Sequence, residues 1–489
     1  MRSMETLAYR DFRGFVEKAQ EVSEWRLVEG ADWDKEVGAL IEVTADLPQP
    51  PMLVFDKIKD YPAGFRLVSL PYASYKRVAL AFGLPADKSK LEIVRLVARK
   101  IKSAQAIALV EVKNSPLMEN VMECAAVDLF KFPAPRFHDG DGGRYIVTGD
   151  CLINAESDGS FVNAGTYRMQ LHEPNLLGLW MSPGQHGRLV CMKYWQQGKS
   201  CPVVVAFSPH PLVFALAHTK VAWGHSELDY VGGLIGQPLE VLKGPLTGLP
   251  TPAGAEIALE GEVPPPSQEA REEGPFGEWP GYYSGGTLGT GEPQPVIKVK
   301  AVYHRNNPIL EEEAPLWTGA MKTDANPSAG ILWDQLESAG VQNVVGVYNH
   351  SPYFSVVAIK QSYAGHAKQA GLAAVSSAAA ARNGRYVVVV DEDIDPTNMK
   401  EVLWAMMTRV DPKTNIDIID GCWSTPLDPR MPPEKRESGD HTNSRAIFYA
   451  VRPFEWRDSF PKVSRSGREL RERTIKKFRG IVPFPNGST

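Results

Sequence analysis

The last third of the chain constrains the fold most, because from residue 354 onward short apolar runs alternate with helical stretches. Phe354–Ile359 reads as a strand, Ala364–Arg382 as an alanine-rich helix and Tyr386–Val390 as a buried strand. Asp395 then caps a helix with Pro396 at its first position. That helix runs to about Val410, and Ile416–Ile419 forms a further strand. Strands joined by helices pair in parallel, since a parallel neighbour needs a crossover long enough to hold a helix. Residues 324–460 are therefore expected to form an α/β domain on a mostly parallel sheet. No G-x-G-x-x-G follows these strands, so a nicotinamide site has no motif behind it.

The remaining chain divides on composition. Residues 1–127 mix strands with helices, and Leu91, Val94, Leu96, Val97 and Ile101 stand at helical spacing behind the caps Asp87 and Ser89. Residues 128–323 are rich in Gly and Pro. They carry the β-prone runs Tyr145–Val147, Val203–Phe207, Ile257–Leu259 and Val296–Val302, which suits a barrel-like β domain. Residues 461–489 form a tail whose basic stretch is interrupted by Glu469 and Glu472, as on a solvated helix face. A formal charge of −5 weighs against a nucleic-acid partner. Five cysteines without a C-x-x-C pair suggest reduced thiols and an intracellular setting. Met1–Arg13 has no apolar signal-like run, and no apolar stretch is long enough to span a bilayer. A soluble, cytoplasmic protein is expected.

Chemistry concentrates in Glu273-Gly274-Pro275-Phe276-Gly277-Glu278, where two carboxylates flank a Gly/Pro turn that admits neither a helix nor a central strand. A tight loop lets each acid find its own environment, as general acid–base chemistry requires. A surface turn with solvated glutamates would read the same way in isolation.

Other segments decide between these. Asn163-Ala164-Gly165-Thr166-Tyr167-Arg168-Met169-Gln170, Gln185-His186, Ser226-Glu227-Leu228-Asp229-Tyr230 and the hexapeptide follow one another in the order and approximate spacing of a known family. His304–Leu310, Asp391–Asp395 and Thr408–Pro412 extend the match. Together they resemble the UbiD family of decarboxylases, which remove or add carboxyl groups on unsaturated and aromatic acids with prenylated FMN.

The resemblance implies an N-terminal α/β domain, a central split β-barrel that holds the flavin, and a C-terminal α/β dimerisation domain with a terminal helix, here Arg468–Lys477. It places a divalent ion, Mn²⁺ or Mg²⁺, on Asn163, His186 and Glu227, with Asp229 as an alternative to Glu227. A K⁺ site would draw on carbonyls before Glu227. Gly165, Thr166, Tyr167, Arg168, Gln185 and His186 would border the cofactor, and Arg445 stands where relatives often have lysine near the flavin phosphate. Arg168 would pair with Glu273 and engage the substrate carboxylate. Glu273 is then expected to stay ionised and Glu278, in a drier pocket, to hold a proton. The substrate would add to the flavin iminium, CO₂ would leave, and Glu278 would protonate the carbon.

Leu316 and Trp317 fall near the family's substrate-side wall. Trp317 would stack on an aromatic ring, or else is one core residue among 11 tryptophans. The implied partners are a small aromatic or heteroaromatic acid, CO₂, a flavin prenyltransferase that supplies the cofactor, and a second copy of the chain. Two other readings remain open. One is an FMN-dependent reductase on a split barrel, the other a degenerate flavin- or metal-binding protein without catalysis. Neither has a use for Arg168, Glu273 and Glu278 together.

Overall fold

The computed structural model describes residues 7–219, 223–284, 293–317, 328–380, 383–464 and 466–482. The helix expected from residue 90 spans Lys90–Ser103. A capping box fixes its start, for Ser89 accepts from the Glu92 N–H while the Glu92 side chain accepts from the Ser89 N–H. Ile93, Val94, Val97 and Ala98 form its buried face. Beside it lies a four-stranded mixed sheet in the order Trp25–Glu29, Met52–Asp56, Arg66–Ser69, Ile309–Glu311.

All four β-prone runs of the central region enter one ten-stranded sheet that curls into a half-barrel. Its spine is Gln294–His304, buried along most of its length and flanked by Leu176–Trp180 and Ile257–Val263. Beyond Leu176–Trp180 lies Arg168–Glu173, and the far edge is Val162–Gly165. Helices His186–Trp195 and Glu227–Ile235 both pack on that edge strand. Among the described residues three strand pairings cross the expected domain boundary, Val110–Glu111 with Glu240–Lys243 among them. Ile309–Glu311 pairs with Arg66–Ser69 of the N-terminal sheet, and Asn120–Glu123 pairs with Gln294–His304. The boundary expected at residue 323 lies outside the described residues.

The C-terminal sheet runs Val344–Ser351, Phe354–Ile359, Tyr386–Asp391, Thr442–Ala450, Ile416–Trp423. Its three inner strands are parallel, but both outer strands are antiparallel, so the sheet is mixed rather than mostly parallel. The cause is a tight hairpin before Phe354 and the return of Thr442–Ala450 between strands already formed. Helices His366–Ser376 and Met399–Arg409 cover the sheet. The cap of the second is Asn398, not Asp395. Asp395 instead accepts from the Thr397 N–H at 2.9 Å and turns the chain ahead of the helix. The terminal helix is Arg468–Phe478. Among the described residues no helix is long and apolar enough to cross a membrane, and the five cysteines are free thiols.

A buried ion network joins two of the quoted motifs. Arg409 Nη1 donates to Asp391 at 2.9 Å, and Nη2 donates to Asp393 at 2.8 Å. Arg452 adds its N–H and Nε to the same Asp391 oxygen, and Asp391 is fully buried. Removing one partner of a buried pair strands the other charge. Arg409→Ala is therefore expected to cost about 3–5 kcal/mol of stability, measured by the urea midpoint.

Candidate active site

Arg168 opens the strand Arg168–Glu173, and the antiparallel register sets Trp180 directly opposite it. The guanidinium lies 4.6 Å from the Trp180 ring and 4.9 Å from the Phe276 ring, held between two aromatic faces. Nε and Nη2 donate to the two oxygens of Glu273 at 2.6 and 2.8 Å, a bidentate fork. Nη1 is ion-paired with Glu278 Oε1. The Gly/Pro turn folds the loop back on itself, since Phe276–Gly277 pairs with Tyr283–Ser284. The structure thus brings all three expected catalytic residues into contact. The drier setting expected for Glu278 is absent, because Glu273 and Glu278 are each 6% exposed. What separates them is the manner of attachment to one cation.

Arg168 and Glu278 line a cleft of about 170 Å³, with Glu273 behind them. One wall is Thr166, Tyr167, Trp180 and Gln185 from the central sheet and its flanking loop. The facing wall comes from the C-terminal domain through Asn383, Thr425 and Leu427. Trp279, next to Glu278, also lines the cleft and packs on Tyr353 at 4.9 Å. Tyr167 is pinned at both ends, its N–H donating to Asp150 at 2.9 Å and its hydroxyl accepting from the Gly187 N–H at 3.1 Å. Gly165 is needed there, because a Cβ would come within 2.8 Å of that hydroxyl.

Asn163, His186 and Glu227 gather around the edge strand Val162–Gly165. Asn163 lies on that strand, and His186 and Glu227 are the first residues of the two helices packed on it. Glu227 is 3% exposed, accepts from the Ala164 N–H at 3.0 Å, and burial pushes its carboxyl up to about 7. Asn163 donates its amide nitrogen to Asn154 at 3.0 Å, so its oxygen is the end that could meet a cation. Asp229 is only half-buried, so Glu227 is the carboxylate facing the strand. Phe161 and Trp223 meet the His186 ring edge-on. Among the described residues no three His, Cys, Asp or Glu side chains form a metal cage. The fit is to an open amide–imidazole–carboxylate set that needs an outside oxygen to complete it, which suits Mn²⁺ or Mg²⁺.

Other expected residues lie elsewhere. Leu316 is packed in the core, and Trp317 is 66% exposed and does not line the cleft. Arg445 is buried in the C-terminal sheet, where Nη2 donates to the Trp423 carbonyl, and it does not line the cleft either. Trp180 is not readable from the turn alone, because a bulge at Leu176/Leu177 shifts the register by one residue and so brings Trp180 opposite Arg168. Asn383, Thr425 and Leu427 reach the cleft through the packing of separate domains, which no local pattern reports.

Comparison with known proteins gives the family. Models of 3-octaprenyl-4-hydroxybenzoate carboxy-lyase match in three parts: the N-terminal domain over residues 17–97, the Rift-related domain over 108–315 and the C-terminal domain over 326–450. The phenolic acid decarboxylase of Bacillus subtilis is 32% identical over 443 residues, covering 87% of this chain and 90% of that one. The closed form of the vanillic acid decarboxylase of Sedimentibacter hydroxybenzoicus superposes with a TM-score of 0.79 at 28% identity, covering 96% of this chain and 99% of that one. An evolved dimeric form of the UbiD-class enzyme HmfF from Pelotomaculum thermopropionicum, in complex with prFMN, gives 0.78 at 25% identity, with 94% and 98% covered. The chain belongs to the UbiD family.

Asp150, which holds the Tyr167 amide, is fully buried and lies near the buried Glu311 and Glu312. Burial raises its carboxyl from 3.8 to about 7. Between those values the native state keeps a proton that the unfolded chain has released, so stability falls as pH rises through that window. Asp150→Asn keeps an acceptor for Tyr167 and removes the charge. The drop in melting temperature between pH 5 and pH 8 is expected to shrink in the variant, and an unchanged drop would show that Asp150 does not titrate there.

Proposed function

We propose that this chain is a carboxy-lyase acting reversibly on an aromatic or heteroaromatic acid, with prenylated FMN as cofactor. The observation that carries this reading is the buried Arg168 between Glu273 and Glu278, beside a cleft walled by Trp180 and Trp279. The phenolic and vanillic acids in the names of its relatives support the substrate class, and the prFMN complex supports the cofactor. A flavin reductase needs a hydride donor and has no use for two acids on one arginine. Asn163, His186 and Glu227 would hold Mn²⁺ or Mg²⁺, which would balance the charge of the flavin phosphate. The segment before Glu227, proposed for K⁺, lies partly outside the described residues. A flavin prenyltransferase supplies the cofactor, and the enzyme works in the cytoplasm as a homodimer or larger assembly. Exposed Met407 and Ile418 on the C-terminal domain and Leu470 and Phe478 on the terminal helix suit such contacts.

When bound, the prenylated flavin supplies the electron sink that decarboxylation at an sp² carbon lacks. The chain supplies orientation and the proton. One guanidinium already faces two carboxylates, so a substrate carboxylate arriving there is a third anion in a buried site. Like charges so placed favour protonation of one of them. Glu273 is locked in the fork, which leaves Glu278 to take the proton. Substrate binding thereby loads Glu278, and the proton passes to the carbon that CO₂ has left.

Glu278→Gln is expected to abolish turnover and proton exchange at the product carbon while flavin stays bound. Substrate binding by the wild type should weaken as pH rises, because binding takes up a proton, and this dependence should flatten in the variant. Equal pH slopes in the two proteins would remove Glu278 from the acid role. His186→Ala is expected to lower Mn²⁺ and flavin content together in the purified protein. Full content of both would overturn the ligand assignment.

A further inference from the structure

Glu273 and Glu278 reach Arg168 only while their loop is held in place, and two of its backbone N–H groups are tied to side chains outside it. The Gly277 N–H, one residue before Glu278, donates to Asp141 Oδ1 at 3.2 Å. Asp141 is 5% exposed, and its Oδ2 accepts from the Phe137 and His138 N–H groups at 3.1 and 2.8 Å. One buried carboxylate therefore joins the loop to the segment beneath it through charge-assisted bonds. The Gly274 N–H, one residue after Glu273, donates to Gln170 Oε1 at 3.0 Å. Gln170 lies two residues from Arg168 in the same strand, hence on the same face. Its Nε2 donates to the Gly142 carbonyl at 3.3 Å.

The two backbones then meet directly. The Gly142 N–H donates to the Pro275 carbonyl at 2.7 Å, and the Tyr145 hydroxyl donates to the Gly274 carbonyl at 2.9 Å. A Cβ on Gly142 would fall 2.4 Å from Gly274 Cα, so only glycine permits this approach. Neither Asp141 nor Gln170 lines the cleft.

We propose that Asp141 and Gln170 are positioning residues for the carboxy-lyase reaction, fixing Glu278 and Glu273 through the adjacent amides so that each acid meets its own edge of Arg168. This inference rests on the function proposed above. The two residues act through the loop and touch no reacting atom. A displacement of about 1 Å in such a constellation costs on the order of a hundredfold in rate.

The test compares wild type, Asp141→Ala, Asp141→Asn, Gln170→Met and Asp139→Ala. Asp139 is the control, because its side chain is 93% exposed in the same loop. Turnover is normalised to bound flavin, which removes any difference in folded fraction. Hydrogen exchange is followed in the peptide spanning residues 273–278. Asp141→Ala and Gln170→Met should lose about a hundredfold in kcat per flavin with little change in KM. The peptide should exchange faster in both and as in wild type in Asp139→Ala. Asp141→Asn, which keeps one acceptor oxygen, should fall between and remains informative if the alanine variant does not fold. Unchanged exchange overturns the clamp, and faster exchange with unchanged kcat per flavin overturns its catalytic importance. Failure of the functional reading would show separately, as wild-type holoenzyme that turns over no aromatic acid, and the exchange comparison would then judge the clamp alone.

Discussion

The buried guanidinium of Arg168 is the interaction on which the site depends. A charge out of water is tolerated only with its partners in place, and here the partners come from a loop about a hundred residues further along the chain. Trp180 opposite and Phe276 on the loop close its two faces. The half-barrel hairpin, the Gly/Pro turn and the tethers on that turn are therefore aspects of one requirement. Each keeps a cation and two anions together where water does not reach.

The second requirement is a wall that belongs to another domain. Trp279 leaves the loop immediately after Glu278 and packs on Tyr353, whose ring also carries the Arg385 guanidinium at 4.9 Å. Arg385 is ion-paired with Asp428, one residue from the cleft residue Leu427. The catalytic loop is thus in contact with the elements that form the opposite wall. The Asp391–Arg409–Arg452 network lies deeper in the same sheet, and its motifs serve the wall's stability, not its chemistry. Motifs that mark a family need not all touch the reaction.

Local signals were legible in the sequence and long-range ones were not. Ser89 announced a helix start, and the runs around Val205, Leu259 and Val299 announced strands that the sheet contains. Val344–Ser351 escaped notice because Asn349 and His350 break its apolar run. Thr442–Ala450 escaped because it begins with Thr442, Asn443, Ser444 and Arg445. The strand exchange of Ile309–Glu311 is a matter of topology, which composition does not report. Of the site, the residues on one strand and one loop were readable through the ordered motifs, and the structure gathers them. Trp317 was misleading for a physical reason: its carbonyl lies against Gly281 while its side chain points to solvent. The family resemblance placed it near the substrate-side wall, and the orientation of its side chain takes it out of the cleft.

Equal burial of Glu273 and Glu278 raises the question of how two like acids acquire different tasks. Dryness is not the variable. Glu273 presents both oxygens to two nitrogens in a planar fork, so protonating it would break a bidentate pair. Glu278 meets the third nitrogen with Oε1, at the start of a turn in which its carbonyl accepts from the Gly281 N–H at 2.8 Å. Gly281 has φ +86°, and a Cβ there would meet the Trp317 carbonyl at 2.1 Å, so the turn is closed to other residues. The Asp141 tether fixes the backbone one residue before Glu278, and this turn fixes it three residues after. Between them the main chain is held on both sides of Glu278, while Glu273 is held by the side-chain fork itself.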